Sequence, residues 1–151
     1  MTIAPDWAAQ YCGIPFTELG LDRTGCNCWG LARMIYRDRA GIDLPSYVGG
    51  YHGASSADAE DIQALVTSGL RTDRWHEVDW RAADGSVKWG QIKDLDGVLL
   101  RISGHPMHMG VMIAPRLMMH TMFNEYSHPE QIDGLRWRHR IFGFYRHEKL
   151  C

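Results

Sequence analysis

The segment that decides the fold is residues 27–45, which read NCWGLARMIYRDRAGIDLP. Counted from Cys28, its apolar residues recur at offsets of 0, 3, 4, 7 and 8, the spacing of one helical face. Asn27 is a good N-cap residue, and Gly41 suits the left-handed position that ends a helix. The pattern therefore predicts a helix over Cys28 to Ala40 that begins at or beside Cys28.

The predicted position of Cys28 is one that makes a thiol reactive. Amide groups at a helix N-terminus carry partial positive charge and favour the thiolate, which is the nucleophilic form. The competing interpretation is that Cys28 is an inert core cysteine. Cys26 lies two residues earlier, outside the predicted helix, and we interpret it as structural.

Further elements are predicted on either side of this helix. We expect helices at about residues 4–12 and 57–68, an irregular stretch at 75–95, and strands at 98–102, 107–113, 117–122 and 137–145. A run of helices followed by antiparallel strands indicates an α+β fold with one sheet against a helix. At 151 residues, the chain has the length of a single domain, 1–151.

Two of the eight histidines, His108 and His120, lie inside apolar predicted strands. A tight turn at residues 114–115 predicts a hairpin in which residue i faces a residue near 229 − i. His108 would then lie near Thr121 and His120 near Met109, with both histidines projecting into one region of the sheet. One would act as a base and the other would orient it through its second ring nitrogen. For either histidine alone, the alternative is a core residue whose hydrogen-bonding groups are satisfied by the fold.

These residues resemble the motifs of NlpC-type cell-wall peptidases. The run from Asn27 to Tyr36 is similar to their nucleophile helix, His108-Met109-Gly110 to their His-x-Gly strand, and His120 to their third, polar position. The order and the separations, 80 residues (108 − 28) and then 12 (120 − 108), agree as well. The resemblance covers roughly residues 11–146 and implies a papain-like fold. It also implies a cysteine peptidase with Cys28 as nucleophile, His108 as base and His120 as the residue that orients it.

The chain departs from the family's pattern at two positions. Asn27 stands where the family usually has Asp, although Asn also caps helices. Phe16 stands where the family often has a Tyr whose hydroxyl lies by the reaction centre. Since Phe16 cannot donate a hydrogen bond, the Cys28 backbone amide or another donor such as Tyr11 would have to hold the oxyanion. Losing one oxyanion donor costs ~10²–10³ in rate, so weak activity is an expectation as well.

Trp29 and the tail from Gly41 to Tyr47 resemble a narrower branch that occurs with tailed bacteriophages and gene transfer agents. Members of that branch sit at the tail tip and open peptidoglycan during delivery. The resemblance implies that the substrate is a peptidoglycan stem peptide, cut between D-glutamate and a diamino acid. It implies tail-tip or hub proteins as partners and requires neither an organic cofactor nor a metal.

Composition and charge exclude other classes of protein. The net charge of −2 and the pI of about 6.4 give no basic excess, which argues against direct nucleic-acid recognition. No apolar run approaches the ~20 residues that cross a bilayer, which argues against membrane insertion. The N-terminus lacks the pattern of a signal peptide. We therefore expect synthesis in the cytoplasm, and the resemblance to the phage-associated branch implies incorporation in a phage-like tail and action at the cell wall or periplasm.

Three alternatives to a cell-wall peptidase remain open from the sequence. The first is a structural hub or plug of the tail tip without turnover, which Phe16 and Asn27 favour. The second keeps the chemistry but uses another acyl donor, as in an amidase or transpeptidase. The third is a metal site built from cysteines and histidines. Its candidate ligands are Cys26, Cys28, His105, His108, His120 and His128.

Overall fold

The structure is a computed structural model in which residues 2–46 and 75–151 are described. The helix predicted at residues 57–68, and Tyr47 of the tail that resembles the phage-associated branch, lie outside the described residues. Among the described helices, none is long and apolar enough to cross a membrane.

The helix predicted over Cys28 to Ala40 is confirmed, with the predicted ends. Helix α1 spans Cys28–Ala40, and the side chain of its N-cap residue, Asn27, accepts a hydrogen bond from the Gly30 amide. Gly41 adopts a left-handed conformation (φ 66°), which a residue without Cβ reaches without strain, and its amide bonds back to the last turn. Both ends are fixed by local chemistry, which explains why the sequence pattern predicts them.

Two sheets surround α1. A hairpin of β1 (Leu21–Asp22) and β2 (Gly25–Cys26) leads directly into the helix. The main sheet has six antiparallel strands in the order β3-β8-β4-β5-β6-β7. These are β3 (Trp75–Glu77), β4 (Gly97–Ile102), β5 (His105–Ala114), β6 (Leu117–His120), β7 (His128–Gln131) and β8 (Ile141–His147). The predicted α+β fold, with a helix packed on one antiparallel sheet, is confirmed.

The main sheet is buried on both faces, and β5 shows how. Val111 and Ile113 belong to the core that α1 covers, whereas Met112 belongs to the core of the opposite face. This alternation is the period of two that side chains follow along a strand. The second core is closed by Trp137, which is fully buried. The site histidines lie beside that second core.

Two predicted elements were wrong in type or extent. The N-terminal helix is a 3-10 helix, Asp6–Tyr11, which follows Pro5 and has no side-chain cap. The last strand begins at Ile141 instead of residue 137, because residues 135–140 form turns closed by backbone hydrogen bonds such as Arg140 to Trp137. The turns let the Trp137 side chain enter the core. The predicted strand did not imply this orientation.

Candidate active site

The start of α1 is held by Asn27, which is 2% exposed. Its side-chain oxygen caps the Gly30 amide at 2.7 Å, and its side-chain nitrogen donates to the Glu18 carbonyl at 2.8 Å. Gly30 allows a close approach, since a Cβ there would lie 2.4 Å from the Gly20 carbonyl oxygen. These contacts fix the first turn of the helix and therefore the position of Cys28.

The thiol of Cys28 lies between the helix start and β5. Cys28 keeps some exposed surface, but the protein packed around the thiol raises its pKa, and this burial outweighs three backbone amides that lower it. Those amides belong to Met109, Trp29 and Cys28 itself. Because Met109 follows His108 directly, the thiol faces the strand segment that carries the predicted base. The helix N-terminus alone does not make a resting thiolate here.

Three strands supply a continuous hydrogen-bonded chain of side chains. Nε2 of His108 on β5 lies 2.9 Å from Nδ1 of His120 on β6. Nε2 of His120 lies 2.7 Å from a carboxylate oxygen of Glu130 on β7. Both rings are buried, at 4% and 0% exposure. The structure thus brings His108 and His120 together as expected and adds Glu130, which the sequence analysis did not identify.

The predicted strand register was wrong by one residue, and this shift decides on which face of the sheet each histidine lies. Val111 pairs with Met119 and Met112 with Met118, so facing positions add up to 230 in this part of the hairpin instead of 229. A slip of one residue moves a side chain to the other face of the sheet. The predicted pairs would have put the two histidines on opposite faces. The observed register puts them on one face, on neighbouring strands.

Trp137 holds both imidazole rings in place. Its indole stacks on His108 at a centroid distance of 5.4 Å with an interplanar angle of 22°, and meets His120 edge-on at 5.4 Å. A buried aromatic contact of this kind restricts how the rings can rotate. No sequence pattern indicates this contact, because the alternation around Trp137 predicts a strand.

The protonation states of His108, His120 and Glu130 follow from burial and hydrogen bonding. Burial lowers the pKa of His120 to about 4, against the opposing bond to Glu130. Burial likewise lowers the pKa of His108 well below its usual value, so both rings are neutral at pH 7. Burial opposes the ionised form of Glu130, but hydrogen bonding, including that of His120, outweighs it and the pKa lies below the ordinary value. Glu130 is therefore a carboxylate, which only accepts hydrogen bonds.

An acceptor at one end sets the tautomer of each ring. His120 must donate from Nε2 to Glu130, so its Nδ1 is unprotonated and accepts from Nε2 of His108. The proton of neutral His108 is thereby placed on Nε2. Its Nδ1 is left with a lone pair, which is the form that a base for a cysteine thiol requires.

Tyr11 and Phe16, the other two candidates, make side-chain contacts with residues outside the histidine chain. The Tyr11 hydroxyl donates to Asp38 at 2.8 Å, and Asp38 is ten residues beyond Cys28 (38 − 28), about 15 Å along the helix. The structure therefore does not bring Tyr11 to the thiol. Phe16 lies beside Cys26 in an isolated bridge, and its ring packs edge-on against Phe123.

Cys26 is buried, and burial raises its pKa to about 12. Its thiol stays protonated at neutral pH, which agrees with the interpretation of Cys26 as structural. Of the metal ligands suggested by the sequence, the described part of the chain groups only His120 and His128 within reach of one ion, together with Glu130.

Comparison with solved structures identifies the fold. No protein-family model matches the sequence, and no curated protein matches it either. Among solved structures, the NlpC/p60 domain of the peptidoglycan hydrolase SagA aligns at a TM-score of 0.56 and 15% identity, over 92% of each chain. The fold is that of NlpC/p60 domains.

Two longer NlpC/p60 proteins share the fold. One, from Staphylococcus aureus and described as similar to a lipoprotein, aligns at a TM-score of 0.55 and 17% identity over 93% of this chain. The other, from Bacillus cereus, aligns at 0.58 and 14% over 99% of this chain. This chain spans 39% and 42% of those two proteins, so it corresponds to one part of each.

Proposed function

We propose that this chain is a cysteine endopeptidase that hydrolyses peptidoglycan stem peptides. The observation that carries the proposal is the chain from Glu130 through His120 to His108, since it leaves a base nitrogen on the strand segment that contacts the Cys28 thiol. The substrate class is supported by the NlpC/p60 fold, because SagA is a peptidoglycan hydrolase.

The reaction starts with a neutral Cys28 thiol and a neutral His108 ring. Nδ1 of His108 takes the proton of Cys28 as the sulfur attacks the peptide carbonyl carbon, so the carbon–sulfur bond forms while negative charge moves to the carbonyl oxygen. His108, now an imidazolium, gives this proton to the leaving amine as the carbon–nitrogen bond breaks. Water then attacks the thioester with His108 as base, releasing the carboxylic acid and restoring the thiol.

Backbone amides at the start of α1 are the proposed oxyanion donors. The amides of Cys28 and Trp29 already lower the pKa of the thiol, so they lie where negative charge is stabilised. Asn27 positions them through its two side-chain hydrogen bonds. With Phe16 in the place of a hydroxyl donor, we expect the amides to do this alone and turnover to be slow.

We further propose that the enzyme acts as a component of a phage-like tail. The support is the resemblance of Trp29 and the segment that starts at Gly41 to the phage-associated branch. The indole nitrogen of Trp29 donates to the Pro45 carbonyl at 2.7 Å, which ties that segment to the helix start. Tail-tip or hub proteins would be its partners, and the tail would carry it from the cytoplasm to the cell wall.

Hydrolysis of purified peptidoglycan by the wild type and by Cys28→Ala tests the proposal, with new amines counted and fragment masses measured. Cleavage that disappears in the variant supports the peptidase, and the masses identify the bond and show whether it joins D-glutamate to a diamino acid. A folded, fully reduced wild type that cleaves nothing, also when assembled in particles, would favour the structural hub instead.

A further inference from the structure

A second group of ligand atoms lies at the Glu130 end of the histidine chain. One ligand atom from each of His120, His128 and Glu130 lies within 4.8 Å of the other two, and Nε2 of each histidine faces the Glu130 carboxylate. Two histidines and one glutamate form a donor set that binds zinc in proteins and leaves a fourth position for water. Nothing in the peptidase reaction uses His128.

The hydrogen bond that His128 makes with the backbone leaves its other ring nitrogen facing this group. Its Nδ1 donates to the Tyr126 carbonyl at 2.8 Å, because a carbonyl can only accept. In the neutral ring, Nε2 then carries a lone pair, and it lies 3.5 Å from the Glu130 carboxylate, which is also an acceptor. In that form, a cation placed between this nitrogen and the carboxylate oxygen would bind both.

The surroundings of the group suit a metal ion in two ways. Each histidine has its second nitrogen held, His120 by His108 at 2.9 Å and His128 by the Tyr126 carbonyl. Such partners orient metal-binding imidazoles. The side chains of His128 and Glu130 are 36% and 23% exposed, whereas His120 is buried, so an ion can enter from solvent.

Two of the three distances between ligand atoms are close to those of a zinc site, and the third pair, within 4.8 Å, would have to close around the ion. In a tetrahedral site with ligand bonds of 2.0–2.1 Å, neighbouring ligand atoms lie about 3.3 Å apart. The carboxylate oxygen lies 2.7 Å from His120 and 3.5 Å from His128. Arg136 also contacts this oxygen at 3.2 Å, but its stronger contact, at 2.9 Å, is with Glu125, which can retain it.

We propose that His120, His128 and Glu130 bind zinc and that the bound zinc switches off the base His108. Coordination takes the lone pair of His120 Nε2, so the single proton of that neutral ring must lie on Nδ1. His120 then donates to Nε2 of His108, and the proton of His108 moves to Nδ1, the nitrogen that should accept the Cys28 proton. The zinc site stands by itself, whereas the switch rests on the proposed peptidase function.

The protons of this change balance. One proton leaves Nε2 of His120 for solvent, one crosses the existing bond from Nε2 of His108 to Nδ1 of His120, and one enters from solvent at Nδ1 of His108. The two rings remain neutral, and only their tautomers change. Zinc is therefore an inhibitor in this scheme, and the reaction itself uses no metal.

Zinc titration of the chelator-treated protein, followed by calorimetry, tests the site without any need for turnover. We expect one equivalent to bind, with an affinity at least about tenfold weaker in His128→Gln and in Glu130→Gln. Cys28→Ala and the exposed control His76→Gln should bind as the wild type does. Equal binding by His128→Gln, loss of binding in Cys28→Ala, or sulfur coordination in the cobalt(II) absorption spectrum would overturn the site.

Peptidoglycan cleavage at increasing zinc tests the switch. We expect inhibition at the concentrations that fill the site, and weaker inhibition of His128→Gln, each protein being compared with its own zinc-free rate. Zinc that fills the site without slowing cleavage would overturn the switch. A wild type that binds zinc through these residues but cleaves nothing without zinc would contradict the proposed function and leave the site supported.

Discussion

The two halves of the candidate site are built in different ways. The nucleophile half is local, because Asn27, Gly30 and the backbone from residue 18 onward hold Cys28 with contacts that span about ten residues. The base half is assembled from three strands and a turn, since His108, His120, Glu130 and Trp137 span thirty positions, 108–137. Because its contacts are local, the nucleophile half can be predicted from the sequence. The positions of the side chains in the base half depend on strand register.

The largest effect should come from removing the base. His108→Ala deletes the group that takes the Cys28 proton, and we expect kcat/KM on peptidoglycan fragments to fall about 10²–10⁴-fold. Steady-state kinetics measure this, with His76→Ala, an exposed histidine on β3, as the matched control. A wild-type rate in His108→Ala would show that the base half is not part of the reaction.

The next effect should come from Glu130, the end of the histidine chain. In Glu130→Gln the amide can donate to Nε2 of His120 and reverse both tautomers, so we expect kcat to fall about 10–100-fold while KM stays unchanged. Glu130→Asp should restore part of the rate.

Glu125→Gln is the control for this change, because Glu125 contacts Arg136 but neither histidine in the described structure. If Glu130→Gln lowers thermal stability without changing kcat, Glu130 supports the fold only and does not set the tautomers.

The two halves should also respond to opposite ends of the pH range. His120 has a folded pKa of about 4, below its ordinary 6.5, so the unfolded chain binds the proton first as pH falls. Its stabilising contribution is complete above pH 6.5 and is lost between 6.5 and about 4, at up to about 1.4 kcal/mol per pH unit. Cys28 has a raised pKa, so its contribution is lost as pH rises above the ordinary value of 9.0.

Denaturant unfolding across pH, with a chelator present, measures the free energy of unfolding on both the acid and the alkaline limb of the stability curve. His120→Gln should show a shallower loss of unfolding free energy between pH 6.5 and 4 and an unchanged alkaline limb, whereas Cys28→Ala should flatten only the alkaline limb. An acid limb that keeps its slope in His120→Gln would mean that the buried ring is not the group that titrates.

The smallest effect should come from Asn27, in the local half. Asn27→Ala removes the helix cap and the donor to the Glu18 carbonyl, and we expect a loss of about 1–2 kcal/mol in unfolding free energy. Asn27→Asp keeps the cap but faces a carboxylate toward that carbonyl, so it too should be less stable than the wild type. Glu18→Ala keeps the carbonyl and should change little; an Asp variant as stable as the wild type would contradict this role.

The departure at Asn27 illustrates what sequence alone could explain. Its capping role followed from the residue type, but the need for a donor appeared only when the Glu18 carbonyl was found 2.8 Å from its side-chain nitrogen. Where a family usually has Asp, this loop presents an acceptor. Asn is therefore the residue that fits here, and the substitution does not point to a degenerate site.

The sequence predicted the fold class, both ends of α1 and the strands that carry the two histidines. It did not predict Glu130 or Trp137, because both contact the histidines across strand pairings and turns that no local pattern encodes. His128 and Glu130 stand two apart, which places them on one face of β7, and this spacing was the available signal. The register error shows that a shift of one residue decides whether two histidines can meet.

We propose that Glu130 and His120 leave Nδ1 of His108 unprotonated, on the strand segment that the Cys28 thiol contacts. Nitrogen-15 NMR of the histidine rings at pH 7, with a chelator present and assignments from His108→Gln and His120→Gln, tests this directly. We expect neutral rings, each with its proton on Nε2. A proton on Nδ1 of His108, either as the other neutral tautomer or as an imidazolium, would contradict it.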